Sequence, residues 1–104
     1  MTIVTNATFE QEVLQSDVPV LIDFFADWCM PCKMFGPIFE TTAEEFEGRV
    51  KFVKVNIDQA PELAQKYFVM SIPTLKLVKG EELMGSFVGA MSGEELEDWL
   101  NERL

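Results

Sequence analysis

The sequence contains no histidine, only two cysteines and no apolar run of transmembrane length. A zinc site takes four ligands, so a metal ion would need carboxylates or a second chain. Crossing a bilayer takes roughly 20 consecutive apolar residues, so no membrane-spanning segment is predicted. The N-terminus also lacks the basic and apolar stretches of a secretory signal. We therefore predict a cytoplasmic protein, in a reducing compartment where a cysteine pair is more often catalytic or metal-binding than structural.

Basic residues are scarce, with 8 Lys and Arg against 18 Asp and Glu, which gives a formal net charge of −10. This charge repels phosphate backbones and anionic membrane surfaces, so neither a nucleic acid nor a membrane is predicted as a partner. Repeats, low-complexity tracts and linker-like stretches are also missing. The 104 residues, 48% of them apolar, predict one domain over residues 1–104, and nothing in them demands more than a monomer.

The stretch from Val18 to Glu40 organises the chain. An apolar run ends at Phe25, a turn carries Cys29 and Cys32, and a helical pattern of apolar residues follows. In a chain without export signals, a C-x-x-C at a strand-to-helix turn is typical of a redox motif.

The remaining pattern predicts strands alternating with helices, then a hairpin and a last helix. Thr8 with Gln11, and Ser92 with Glu95, match capping boxes that open helices. The last helix is predicted to bury Leu104 as well as other apolar residues. The predicted strands are Ile3–Val4, Val20–Phe25, Val50–Asn56, Leu75–Val78 and Leu83–Val88. The predicted helices begin at Thr8, at about Cys32 (ending near Phe46), within Asp58–Pro61 and at Ser92. The last of them buries Leu96, Trp99 and Leu100. The fold class is α/β, with a mixed sheet that is parallel in its first half.

The cysteine spacing suits disulfide exchange. A thiolate is the attacking species, and Cys29 precedes a helix whose free N–H groups favour negative charge. Cys32 lies in the first turn, and Pro31 restricts the segment between them. Cys29 would attack a substrate disulfide, and Cys32 would then attack Cys29 and release the reduced substrate.

Three other interpretations of the pair remain open. A structural disulfide closing so short a loop would stabilise the fold by only about 2 kcal/mol. A zinc site would lack ligands, and two inert core cysteines are not expected beside Trp28 and Pro31 in a turn.

Asp23 interrupts the apolar strand that leads to the turn. Burial of a carboxylate is costly and should raise its pKa, which makes Asp23 a candidate proton acceptor for Cys32. The alternative is that Asp23 reaches solvent at a sheet edge. Lys54, in the next strand, could share its face and partly compensate its charge.

Several segments resemble the thioredoxin family in order and spacing, over nearly the whole chain. They are Asp23–Cys29, Pro31–Met34 with Pro37, Lys54–Asp58, Ile72–Thr74 and Val88–Ala90. The resemblance implies a thioredoxin fold of about five strands and four helices. It also implies a protein-disulfide reductase that a separate thioredoxin reductase regenerates, with no cofactor beyond the cysteine pair.

The resemblance also implies roles for individual residues. Cys29 is the exposed nucleophile, Cys32 the buried resolving thiol, and Asp23 with Lys54 a buried pair that assists proton transfer. Pro73 is a cis proline facing the disulfide, and the backbone of Ile72 binds the substrate chain. The implied substrate surface consists of Trp28, Met30, Pro31, Ile72, Pro73, Gly89 and Ala90.

The chain departs from the family at three positions. Met30 stands where a glycine is usual, which bears on substrate fit and redox poise. Phe25 stands where a second tryptophan is frequent, which removes an indole donor. Phe68 stands where a glycine commonly ends a helix, and because a positive φ is costly for phenylalanine we predict a different helix end.

Two other functions are compatible with these residues. An oxidant or isomerase would have a less negative reduction potential than a reductase. A binding module would dock a partner on the apolar surface without turnover, and would keep its role without Cys29.

Overall fold

The sheet lies at the centre of the molecule, and the computed structural model describes all residues from 1 to 104. Its five strands are ordered β1-β3-β2-β4-β5. β3 pairs in parallel with β1 and β2, and β4 pairs antiparallel with β2 and β5. This confirms the predicted α/β class and mixed sheet. The strands are β1 (Thr2–Ile3), β2 (Val20–Phe25), β3 (Lys51–Asn56), β4 (Thr74–Lys79) and β5 (Glu82–Val88).

Three α-helices and one π-helix cover the two faces of the sheet. The π-helix spans Glu10–Leu14, and the α-helices are α1 (Met30–Glu45), α2 (Pro61–Lys66) and α3 (Gly93–Arg103). None of them combines the length and apolar character that crossing a bilayer would take.

The capping box predicted for the last helix is confirmed. The Ser92 hydroxyl accepts the Glu95 N–H at 3.1 Å, and the Glu95 carboxylate accepts the Ser92 N–H at 2.9 Å. The inward face buries Leu96, Trp99 and Leu100 as predicted. The expectation for Leu104 is wrong: α3 ends one residue earlier and this side chain is 44% exposed.

The capping box predicted for Thr8 and Gln11 is also wrong. The Thr8 hydroxyl accepts the N–H of Thr5 at 3.0 Å, within the preceding turn. The helix that follows begins without a side-chain cap and is a π-helix, in which the Gln15 N–H donates to the Glu10 carbonyl at 2.9 Å.

The alternation of side chains along β2 divides the core into two layers. Leu21 faces α1 and α3, where it joins Phe35, Phe39 and Trp99. Val20, Ile22 and Phe24 face the other layer, with Val13 of the π-helix and Leu63 of α2. Because both faces of β2 are covered, its near-continuous apolar sequence is that of a central strand.

Phe68 ends α2 in the conformation usually left to glycine. Its φ is +55°, its N–H donates to Gln65 O at 3.1 Å, and the Val69 N–H reaches back to Ala64 O at 2.9 Å. These two bonds form a Schellman motif, so the prediction of a different helix end is wrong. The two bonds satisfy carbonyl groups at the helix end, while the phenylalanine ring stays 83% exposed.

Replacing Phe68 with glycine is expected to stabilise the protein by about 1 kcal/mol, because the left-handed conformation costs a non-glycine residue about that much and little packing is lost. Urea unfolding would measure it. Phe68→Ala is the matched control, since it removes the ring but keeps the Cβ. Equal stability of the glycine and alanine variants would contradict this explanation.

Candidate active site

The two cysteines lie at the start of α1, just after the turn that connects it to β2. Cys29 is the N-cap residue of α1, with φ −91° and ψ 108°, and its sulfur accepts the N–H of Cys32 at 3.3 Å. Pro31 lies in the first turn, where its missing N–H leaves no hydrogen bond unmade. One N–H group at the positive end of the helix therefore points at the Cys29 sulfur.

The cysteines form a disulfide, with their Cα atoms 5.3 Å apart. Both residues are 5% exposed, so the expectation of an exposed Cys29 beside a buried Cys32 is wrong for Cys29. The pair forms a buried cluster with Ala26, and the side chains of Phe25, Ile57 and Ile72 pack against this cluster. Residue exposure does not distinguish the two cysteines, but their positions on the helix do.

A loop before β4 closes the site from the opposite side. The Ile72–Pro73 peptide bond is cis, and the Ile72 carbonyl oxygen lies 3.9 Å from the Cys29 sulfur. Neither polar backbone group of Ile72 takes part in a backbone–backbone hydrogen bond. The Gly89 N–H donates to the Pro73 carbonyl at 2.8 Å, which joins this loop to the one that follows β5.

The apolar residues predicted to receive a substrate are largely at the surface. Trp28 and Met30 are 67% and 65% exposed, Pro31 and Ala90 are exposed, and Ile72 and Gly89 are half-buried. Pro73 is buried. A cavity of about 300 Å³ brings Trp28 and Ile72 together, and its lining is Trp28, Ile57, Val69, Met70, Ser71 and Ile72.

Ile57, Met70 and Asp58 are residues of this site that the sequence alone did not single out. The Trp28 indole N–H donates to Asp58 at 2.8 Å, which holds the ring over the edge of the cavity. Asp58 belongs to the segment Lys54–Asp58 that resembles the family, and this resemblance is the feature of the sequence that could have indicated it. Met70 precedes the Ile72–Pro73 loop, but no pattern marks it out.

Asp23 is fully buried in the middle of the sheet, so the alternative of a solvent-facing carboxylate is wrong. Both of its carboxyl oxygens lack a hydrogen-bond partner. Burial raises the pKa of Asp23 to about 7, and the positive charge of Lys54 opposes part of that rise. Asp23 can therefore gain or lose a proton near neutral pH.

Lys54 lies on the same face of the sheet as Asp23, because the two are register partners on parallel strands. Its ammonium forms no ion pair within 4.0 Å of the Asp23 carboxylate. It lies instead over the ring of Phe25, 4.5 Å from the centroid.

Nowhere in the chain do three or more His, Cys, Asp or Glu side chains come together so as to hold a metal ion. The groups that the structure brings together at the site are the cysteine pair, the buried Asp23 and the half-buried Lys54.

Comparisons with known proteins point to one family. A family model described as Thioredoxin matches residues 1–102. The chain is 48% identical over 101 residues to Thioredoxin 1 of Nostoc sp., covering 97% of this chain and 94% of that protein. It is 46% identical to Thioredoxin of Rickettsia bellii, with 97% and 96% covered, and 46% identical to Thioredoxin of Porphyra purpurea, with 95% and 92% covered. The likeness extends over the whole sheet as well as the cysteine turn.

Proposed function

Because the chain belongs to the thioredoxin family and is a thiol–disulfide oxidoreductase that works through Cys29 and Cys32, we propose that it reduces protein disulfides and is regenerated by a separate thioredoxin reductase. The observation that carries this proposal is the Cys29–Cys32 disulfide at the N-terminus of α1. A disulfide there closes too short a loop to add much stability, so its value lies in exchange.

The first step forms a mixed disulfide. The Cys29 thiolate attacks one sulfur of the substrate, a bond forms between them, and the second substrate sulfur leaves as a thiolate. The Cys32 N–H, 3.3 Å from the Cys29 sulfur, and the positive end of α1 favour the charged form. Cys29 is the nucleophile because its sulfur occupies the N-cap position.

The second step returns the protein to the disulfide. The ionised Asp23 takes the proton of Cys32, and the resulting thiolate attacks the Cys29 sulfur. The Cys29–Cys32 bond forms, the mixed disulfide breaks, and the first substrate sulfur leaves as a thiolate. A carboxyl with a pKa of about 7 is suited to this transfer near neutral pH. Lys54 supports the ionised form of Asp23.

The substrate chain is proposed to lie in an extended conformation against the cis Ile72–Pro73 loop. Ile72 supports this, because its backbone polar groups make no backbone–backbone hydrogen bond in the protein and one of them lies beside the Cys29 sulfur. The flanking contacts would come from Trp28, Met30, Pro31, Pro73, Gly89 and Ala90.

The remaining proposals concern the setting of this activity. Residues 1–104 act as one thioredoxin domain in the cytoplasm, as a monomer. The cysteine pair carries the electrons without a further cofactor. Its partners are the reductase and proteins with a disulfide, and not nucleic acids or membranes.

The reduction potential of the Cys29–Cys32 pair tests the direction of exchange. Equilibration with dithiothreitol buffers, followed by Trp28 fluorescence, should give a value more negative than that of the cytosolic glutathione pool. About 30 mV corresponds to roughly 1.4 kcal/mol for this two-electron couple. A potential well above that of the pool would favour an oxidant or isomerase instead. Met30, which is exposed beside Cys29, would then be the first residue to replace, with the glycine that is usual in the family.

A further inference from the structure

The Lys54 ammonium contacts the ring of Phe25 and forms no ion pair with the carboxylate of Asp23. Its nitrogen lies 4.5 Å from the centroid of the Phe25 ring, well within the range of a cation–π contact. Ion pairs within 4.0 Å occur elsewhere in the chain, but none joins Lys54 to Asp23. The side chain of Lys54 is thus turned toward the end of β2 that leads to Cys29.

The geometry of the sheet explains this direction. Asp23 and Lys54 are opposite each other on parallel strands, whereas the partner of Phe25 is Asn56. Phe25 is two residues beyond Asp23 and so presents its side chain on the same face. The Lys54 side chain therefore reaches the Phe25 ring by extending along the strand direction over a distance of two residues.

Helix α1 leaves room for the ammonium on this face. A Cβ built on Gly36 would lie 3.8 Å from the Lys54 nitrogen, so the charge is directly beneath the helix backbone. Gly36 is buried and the Lys54 side chain is only partly exposed. An ammonium in this position has lost part of its hydration, and the face of an aromatic ring replaces some of it.

No other charge faces Asp23 from the elements packed around it. Its register partner on β4 is Leu75, and the buried side of α1 consists of Cys32, Phe35, Gly36, Phe39 and Thr42. Cys32 is titratable only when the disulfide is reduced. Besides burial, which is the larger influence on its charge state, Asp23 therefore responds to the Lys54 ammonium.

We propose that Phe25 is a positioning residue, whose ring holds the Lys54 ammonium under α1 and thereby supports the ionised form of Asp23. Without an aromatic face at position 25, the ammonium moves out to water. The positive charge then acts less on the carboxylate, and Asp23 holds its proton to a higher pH. The effect on exchange rests on the proposed role of Asp23 as proton acceptor, whereas the effect on its titration does not.

The test is a titration of Asp23 by carbon NMR of its carboxyl group in the oxidised protein, with four chains compared. Lys54→Gln removes the charge and should raise the pKa of Asp23 by roughly 1 unit. Phe25→Leu should raise it in the same direction by a smaller amount. The double variant should match Lys54→Gln alone, because the ring acts only through the ammonium. Phe25→Trp is the conservative control and should restore the wild-type titration.

Two outcomes overturn the proposal. A Phe25→Leu shift that persists undiminished in the Lys54→Gln background would show that the ring acts on Asp23 by packing. A downward shift in Phe25→Leu would show that the ring keeps the ammonium away from the carboxylate.

The pH profile of insulin reduction separates this proposal from the proposed mechanism. If Asp23 accepts the Cys32 proton, the profile of Phe25→Leu moves to higher pH together with the titration. If the pKa of Asp23 shifts in Phe25→Leu while the pH profile of insulin reduction stays unchanged, the positioning by Phe25 is confirmed and the role of Asp23 in exchange is refuted.

Discussion

Replacing Cys29 with serine is expected to lower the rate of insulin reduction by dithiothreitol to the rate without any protein. A serine hydroxyl is not ionised at neutral pH and forms no mixed disulfide, so the first step of exchange is lost. The turbidity of the precipitating insulin chains measures the rate. The fold should persist, because a disulfide that closes so short a loop contributes only about 2 kcal/mol.

Cys32→Ser is the matched control for this variant. It keeps the nucleophile and loses the resolving thiol, so it should accumulate a covalent complex with an insulin chain on a non-reducing gel. Cys29→Ser should form none. If Cys29→Ser reduced insulin as fast as the wild type, the proposed nucleophile would be wrong, and the binding-module alternative would gain.

Replacing Asp23 with asparagine is expected to stabilise the protein at pH 8 and to destabilise it at pH 4, where Asp23 is protonated and only the cost of the unpartnered asparagine amide remains. The pKa of Asp23 rises from 3.8 to about 7 on folding, so the folded state binds more protons than the unfolded state between these values. The free energy of unfolding of the wild type should therefore fall as the pH rises from about 4 to 7.

The size of this effect follows from the difference between the two pKa values. About 3 units at roughly 1.4 kcal/mol each give a penalty of about 4 kcal/mol once Asp23 is ionised. A buried asparagine amide without a partner costs part of that gain, so we expect a net gain of about 2 kcal/mol at pH 8. Urea unfolding of both chains at pH 4, 6 and 8 measures it.

Asp17→Asn is the matched control, because Asp17 is an exposed aspartate of the same chain. Its stability should stay within about 0.5 kcal/mol of the wild type at every pH. Equal pH dependence of the wild type and the Asp23→Asn chain would mean that Asp23 ionises without a penalty in the folded protein.

Much of the fold could be predicted because its signals are local. The apolar run at Val20–Phe25 and the capping box at Ser92 depend on residues within one element, and both are confirmed. The failures arise where an alternative contact competes. The Thr8 hydroxyl is taken by Thr5, and Phe68 adopts a positive φ because two backbone hydrogen bonds close the end of α2 around it.

The site could be predicted in its chemistry but less well in its packing. The cysteine spacing and the lone aspartate in an apolar strand are visible in the sequence. The burial of Cys29 is not, since Ile57 and Ile72, which pack against the cluster of Cys29, Cys32 and Ala26, come from distant parts of the chain. The contact of Lys54 with Phe25 is equally hidden, since the register of two strands brings them together.

The hydrogen bond from Gly89 to Pro73 has a consequence for how a partner binds. It extends the pairing of β4 with β5 by one rung, so that the loops before β4 and after β5 are held to each other. The parts of the proposed substrate surface that these two loops contribute, Ile72–Pro73 and Gly89–Ala90, are thus pre-organised. When a substrate chain binds, it loses conformational entropy, but the two loops of this protein lose little because they are already ordered. A larger part of the contact energy therefore contributes to the affinity.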